Sequence, residues 1–299
     1  MLRMVRQVAS KLHDPMRTFR GLVLRVDLMW LKLRNRYSRS PVATGKPGPV
    51  VSLTSYDKRI GVVYLAIESI ARGHVLPSRM ILWLDDLTLL SNLPLPLVRL
   101  QKRGLEIRLC KNYGPHKKYY PYVANEPCLI YPLVTADDDV IYAPSWLAKL
   151  IAANKQFPNC VNCFRARKIA LRFGKLLPYR EWPLCDSTAP QFGTIATGVS
   201  GVIYPPAMLE ALKRAGKSFE TTCPRSDDLW LHVWAIRSNI RVRQVQPQAL
   251  HFPLIPGSQL TSLYAENCAE DDGNDRQIAI VYEPRDLELL EFGAIKAYA

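Results

Sequence analysis

The sequence predicts an α/β fold: a mixed, mainly parallel sheet flanked by helices and preceded by an amphipathic helical extension. Three observations point there. Short apolar runs alternate with helix-period segments from residue 50 onward, several of those runs end in polar or acidic residues, and the first 40 residues stand apart by charge.

Asp14-Pro15 pairs an N-cap residue with proline at the first helical position, and Leu22, Val23, Val26, Met29, Trp30 and Leu33 follow at helical spacing with a basic opposite face. Ten Arg and Lys residues against Asp14 and Asp27 give residues 1–40 a net charge of +8, more than half of the +14 carried by all 299 residues. Such a helix suits an anionic membrane surface, with Trp30 near the headgroups. The plainer alternative packs it on the protein's own body with the arginines as a solvated rim. No nucleic-acid-binding module accompanies the charge, so nucleic acid is not an expected partner.

The stretch 38–49, rich in Ser, Pro and Gly, reads as a linker, which sets residues 1–48 apart from a main domain over 49–299. Val50–Thr54 is a short apolar strand, Ile60–Ala71 has helical periodicity, and Met80–Leu84 is a second strand ending in Asp85-Asp86. Pro94–Arg103 then reads as a helix and Leu105–Cys110 as a strand. A strand over Cys128–Val134 runs into Asp137-Asp138-Asp139, and a helix over Ala143–Ala153 has Pro144 at its start. Beyond residue 160 the pattern loosens to a strand at Val199–Tyr204, a helix at Pro206–Ala215 closed by Gly216, and a helix at Asp227–Arg237 with two acids in its first turn. In parallel sheets ligands bind past the carboxyl ends of the strands, so Thr54–Arg59, Asp85-Asp86 and Asp137–Asp139 are expected along one crevice.

Composition, 48% hydrophobic and 22% charged, is that of a folded globular chain. No run of some 18 apolar residues offers a membrane span. The N-terminal apolar residues are interleaved with arginines, unlike a secretory signal, and the seven cysteines are odd in number. Reduced thiols and a cytoplasmic location are therefore expected. Cys160-Val-Asn-Cys163 is a CxxC without an obvious second pair and reads as ordinary thiols.

Three adjacent carboxylates at a strand end repel one another unless a cation or hydrogen-bond donors offset them. Mg²⁺ or Mn²⁺ is suited to the task, since it takes one or two protein carboxylates and leaves its other positions to phosphate and water. Strand alternation would turn Asp137 and Asp139 together and Asp138 elsewhere. A solvated acidic turn is the bland alternative.

Together, Val50-Val51-Ser52-Leu53-Thr54-Ser55-Tyr56-Asp57-Lys58-Arg59-Ile60, Ile81-Leu82-Trp83-Leu84, Lys117-Lys118-Tyr119-Tyr120, Thr135-Ala136-Asp137-Asp138-Asp139-Val140-Ile141-Tyr142 and Asp227-Asp228-Leu229-Trp230-Leu231 resemble the GT-A-fold glycosyltransferases. The resemblance is to bacterial enzymes, related to family-two transferases, that build cell-surface polysaccharide, and it covers roughly residues 49–280. It implies a nucleotide-binding half over 49–158 and an acceptor-binding half over 159–299. It also implies a nucleotide-sugar donor, a UDP-sugar foremost, and a glycan or lipid-linked acceptor at the inner face of the plasma membrane. On this resemblance Thr54, Ser55 and Tyr56 form the nucleotide-side loop, Arg59 reaches the diphosphate, Asp85 meets the nucleobase, and Lys117 and Lys118 serve the phosphates or base. Asp137 and Asp138 belong to the nucleotide site, while Asp139, with Asp137, holds the metal.

Asp228 resembles the general base of inverting members, with Asp227 as its helix-capping neighbour, although acids in a first turn also merely complement the macrodipole. Thr197-Gly198-Val199-Ser200-Gly201 looks like a small-residue loop that admits the sugar, or a simple turn. His251 is a candidate metal ligand from the second half of the chain or a structural histidine, and Asn274-Asp275 a donor lid or an ordinary turn. The Asp227-Asp228 pair departs from the Glu-Asp of many family-two enzymes, which leaves the stereochemistry open. Two other readings stand beside catalysis. One is a silent GT-A-like subunit scaffolding a membrane-surface polysaccharide assembly. The other is a nucleotidyltransferase, against which stands the lack of a Gly-rich phosphate loop after the first strand.

Overall fold

The computed structural model describes residues 15–258 and 273–295. Helix α1 (Pro15–Tyr37) leads to β1 (Val50–Thr54), α2 (Val63–Ala71), β2 (Arg79–Leu84), α3 (Leu95–Gln101), β3 (Leu105–Leu109) and β4 (Leu133–Thr135). Next come α4 (Trp146–Gln156), β5 (Val161–Cys163), the short strands β6 (Ala166–Lys168), β7 (Leu171–Arg172), β8 (Lys175–Leu176) and β9 (Thr194–Ala196), and then β10 (Val202–Tyr204). The chain continues through α5 (Pro206–Ala215), α6 (Asp227–Arg237), β11 (Val242–Gln244), α7 (Gly273–Val281) and α8 (Pro284–Ile295). Asp14, expected to cap the first helix, lies outside the described residues.

The main sheet has seven strands in the order β11-β5-β10-β4-β1-β2-β3, and β10 is the single antiparallel member. This is the mixed, mainly parallel sheet the sequence predicts. All five residues of β1 are buried, as a central strand covered on both faces requires, and Ser52 and Thr54 lie inside with Val50, Val51 and Leu53 and form no solvent-facing polar edge. Val50, Ile81 and Leu133 pack into one core layer, and Val51, Leu53, Leu82 and Val134 into the other. Strands β2 and β3 lie to one side of β1, while β4 lies to the other. The order therefore reverses at β1, and a crevice opens past the carboxyl ends of β1 and β4, where doubly wound sheets place ligands.

Several expected boundaries shift. The strand expected at Cys128–Val134 shrinks to Leu133–Thr135, because Pro132 offers no N–H and Cys128 is exposed. The helix expected from Ile60 begins as a 3₁₀ turn at Asp57–Gly61 and becomes α-helical at Val63. Pro144 precedes its helix, whose N-cap is Ser145. The strand expected at Val199 starts at Val202, since Ser200 and Gly201 both have positive φ, 96° and 97°. Helix α1 packs on α2 through Leu31, with Leu24 and Leu28 beside it, against Leu65, Ala66, Ile141 and Ile255. Its polar inner residues are tied as well: Asp27 to Arg72, and Arg34 and Asn35 to the fully buried Glu68, which also pairs with Arg103. No helix among the described residues is long and apolar enough to cross a membrane.

Candidate functional site

The crevice at the β1–β4 reversal holds a cavity of about 430 Å³. Its acidic lining comes from two places far apart in sequence: Asp137 and Asp139 beyond β4, and Asp227 and Asp228 at the start of α6. Arg59, Lys118, Gly198 and His251 also face it.

The loop after β4 is held rigidly. Ala136 N–H continues the ladder to the Ser52 carbonyl, Asp137 N–H donates to Tyr142 Oη at 2.7 Å, and Ile255 N–H donates to the Asp139 carbonyl at 2.7 Å. Asp137 and Asp139 line the cavity, whereas Asp138 is buried away from it and accepts from Ser55 Oγ at 2.6 Å and Arg59 Nη1 at 2.9 Å. Ser55 and Asp138, expected at the nucleotide, thus serve as a brace for Arg59. The Arg59 fork also reaches Asp139, 3.3 Å away.

Lys118 sits at the centre of the negative field. Its ammonium bonds Asp137; burial works against its charge, but Asp137, Asp227 and Asp228 outweigh burial and hold its pKa well above the ordinary value. The turn that carries it is fixed by Ser52 Oγ, which donates to the Lys118 carbonyl at 2.6 Å and accepts from Trp83 Nε1 at 3.0 Å. Buried His116 closes the turn onto the segment before α6: Nε2 lies 2.8 Å from the Cys223 carbonyl and the ring stacks on Phe219.

Asp228 accepts the Gly198 N–H at 2.9 Å. A Cβ at residue 198 would stand 3.1 Å from that carboxylate oxygen, so the glycine permits the close approach. Burial raises the pKa of both Asp227 and Asp228, and each carboxylate disfavours the second charge beside it. The N-cap of α6 is Ser226, not Asp227, and Asp227 is the first helical residue. Burial likewise lifts Asp139 to about 6, Asp137 adding to the effect and Arg59 opposing it.

The remaining candidates form a second group beside the cavity, at the ends of β1 and β2. Thr54 Oγ1 donates to the Trp83 carbonyl, Lys117 pairs with Asp85 at 2.6 Å, and the Tyr56 ring faces Arg59 at 5.5 Å and Lys117 at 5.8 Å. Asn274 lines the main cavity, while Asp275 accepts the Tyr179 N–H at 2.8 Å.

The expected metal trio of Asp137, Asp139 and His251 is not assembled. Among the described residues no three His, Cys, Asp or Glu side chains are grouped to hold a metal ion; Asp137 pairs with Lys118 and Asp139 with Arg59. His251 is an exposed part of the cavity wall. Of the CxxC pair, Cys163 is fully buried and donates to the Arg243 carbonyl, which fits a structural thiol.

Sequence reasoning missed Arg165, Arg167, Tyr179 and Arg225, which line the cavity together with Thr197 of the expected small-residue loop. Arg165 Nη1 donates to Thr197 Oγ1 at 2.8 Å, and Arg167 lies over the Tyr179 ring at 5.3 Å. The alternation Arg165-Ala166-Arg167, with Ala166 buried, was the available signal for a strand showing one basic face.

Solved structures similar to the chain include residues 1–349 of S. aureus TarS, at 14% identity over 68% of this chain and 59% of that one, with a TM-score of 0.44. The same TarS fragment in complex with UDP gives 14% identity over 68% and 59%, with a TM-score of 0.42. A third is CMP:2-keto-3-deoxy-manno-octonic acid synthetase complexed with CTP, at 11% identity over 66% of this chain and 89% of that one, with a TM-score of 0.40. The chain spans less than two thirds of the TarS fragment's length, and no protein-family model or curated protein matches it. Function is therefore read from the cavity's own residues.

Proposed function

We propose that the chain is a glycosyltransferase that moves a sugar from a nucleoside-diphosphate donor, a UDP-sugar foremost, to a hydroxyl of a glycan or lipid-linked acceptor. One observation carries this reading: Asp137 and Asp139 share a single cavity with Asp227 and Asp228, and Arg59 and Lys118 stand among them. Transfer needs an anion-stabilising side for the leaving diphosphate and a base for the incoming hydroxyl.

Arg59, braced by Ser55 and Asp138, and Lys118 supply the cationic side. Both are paired to aspartates, so a diphosphate competes for donors that already point into the cavity. Asp137 and Asp139 offer hard oxygens that suit Mg²⁺ or Mn²⁺ only when ligand oxygens complete the coordination. Such an ion, when bound, neutralises charge on the departing diphosphate. Asp228, oriented by Gly198 N–H, takes the acceptor's proton as its hydroxyl attacks the anomeric carbon, which gives inversion in a single displacement. Burial makes Asp228 a stronger base than a free carboxylate, and its raised pKa makes turnover rise with pH near neutrality.

The test is incubation of the full chain with a panel of nucleotide sugars and Mn²⁺, measuring released nucleoside diphosphate and donor affinity. Asp228→Asn is expected to lower turnover by roughly 10²-fold or more with donor affinity retained. Asp139→Ala is expected to abolish metal-dependent donor binding. Release of pyrophosphate, or an absence of nucleotide binding, refutes the proposal.

A further inference from the structure

Helix α1 has two apolar faces, and among the described residues one of them is packed on the fold while the other is exposed. Leu24, Leu28 and Leu31 point inward. Phe19, Leu22, Val26, Met29, Leu33 and Tyr37 form a second stripe on the far side, each between 48% and 68% exposed, with Trp30 at its edge at 46%. The expectation of a basic face opposite the apolar one is thus corrected: the opposite face is the docked one.

The cations lie along a border of the exposed stripe. Arg25, Lys32 and Arg36 are exposed and spaced seven and four residues apart, which lines them up on one edge of a helix. On the other edge Trp30 lies under the guanidinium groups of Arg34 and Arg72, each 5.7 Å from the ring centre. Asp27 is the acid within α1, and Arg72 already engages it.

We infer that this face of α1 lies in the interfacial plane of an anionic lipid bilayer. Six large apolar side chains in one stripe exceed the scattered exposure normal for a protein surface. The charge pattern selects the occupant: a second copy of the same stripe would bring Arg25, Lys32 and Arg36 against like charges, whereas anionic headgroups complement them. The inference does not depend on the reaction proposed above. It has a structural consequence for the site, because the inner face of the same helix braces the aspartate loop. Leu31 packs on Ile141, and Arg72 joins Asp27 to the Tyr142 carbonyl, while Tyr142 Oη receives the Asp137 N–H.

The experiment is sedimentation of the full chain with phosphatidylcholine vesicles, with and without phosphatidylglycerol, across a salt series. Val26→Ser/Met29→Ser/Leu33→Ser and Arg25→Gln/Lys32→Gln/Arg36→Gln are the variants, and unchanged melting temperatures establish that both fold. Binding is expected only with the anionic lipid, to weaken with salt, and to fall by about tenfold or more in each variant. Brominated lipid is expected to quench a component of the fluorescence that Trp30→Phe removes. Equal sedimentation of wild type and both variants overturns the inference. So does a concentration-dependent dimer of the protein alone that only the apolar variant dissolves, since a second copy is then the occupant.

Discussion

Two buried histidines set a specific acid sensitivity. His116 Nδ1 lies 3.0 Å from Tyr119 Oη and Nε2 lies 2.8 Å from the Cys223 carbonyl; His232 Nδ1 lies 2.7 Å from Tyr282 Oη and Nε2 lies 2.7 Å from the Phe192 carbonyl. A carbonyl can only accept, so each Nε2 carries the proton and each Nδ1 accepts from a tyrosine, which satisfies a neutral ring on both sides. Burial lowers both pKa values from 6.5 to about 4. The folded value is depressed, so stability is intact above pH 6.5 and is lost as pH falls toward 4, where the unfolded chain binds protons that the native state refuses.

At about pH 5 the loss is about 2 kcal/mol per histidine, rising to about 3 kcal/mol below pH 4. Asp139, raised to about 6, titrates in the opposite sense and stabilises the fold over part of the same range. The informative quantity is therefore a difference between proteins. Urea unfolding at about pH 7.5 and about pH 5 is expected to show that His232→Gln loses about 2 kcal/mol less than wild type on acidification, and His116→Gln the same. Equal acid losses in wild type and variants, or an imidazole NMR titration near pH 6.5, would refute the reasoning.

Glu68 is fully buried and tied to Arg34, Asn35 and Arg103, so Glu68→Gln strands two guanidinium groups. A loss of about 3 kcal/mol in urea is expected, with faster proteolysis between residues 38 and 49 as α1 loosens. A cost under about 1 kcal/mol would show the network to be dispensable. Gly201 has φ +97°, and a Cβ there would stand 2.6 Å from the Trp146 ring. Gly201→Ala is expected to cost about 3 kcal/mol through backbone strain and overpacking together, and an unchanged denaturation midpoint would contradict that geometry.

The sequence by itself determined the alternation of strand and helix, and with it the parallel sheet. Val50–Thr54, Pro206–Ala215 and Asp227–Arg237 were legible to the residue, because a short run rich in β-branched and apolar residues, proline at a helix start, glycine at a helix end and acids in a first turn are local signals. It also marked Asp137 and Asp139 as chemically costly neighbours. Tertiary structure alone decided what stands opposite them. Strand alternation turned Asp138 away from Asp137 and Asp139, but no local pattern states that it would hold Arg59, that Asp227 and Asp228, some 90 residues later, would share the cavity, or that Arg165 and Arg167 would join its wall. The two faces of α1 show the same division. Periodicity found an apolar stripe, but which stripe meets Leu65 and Ile141 and which meets solvent depends on the surface the helix docks against, and burial is a property of contacts between distant segments.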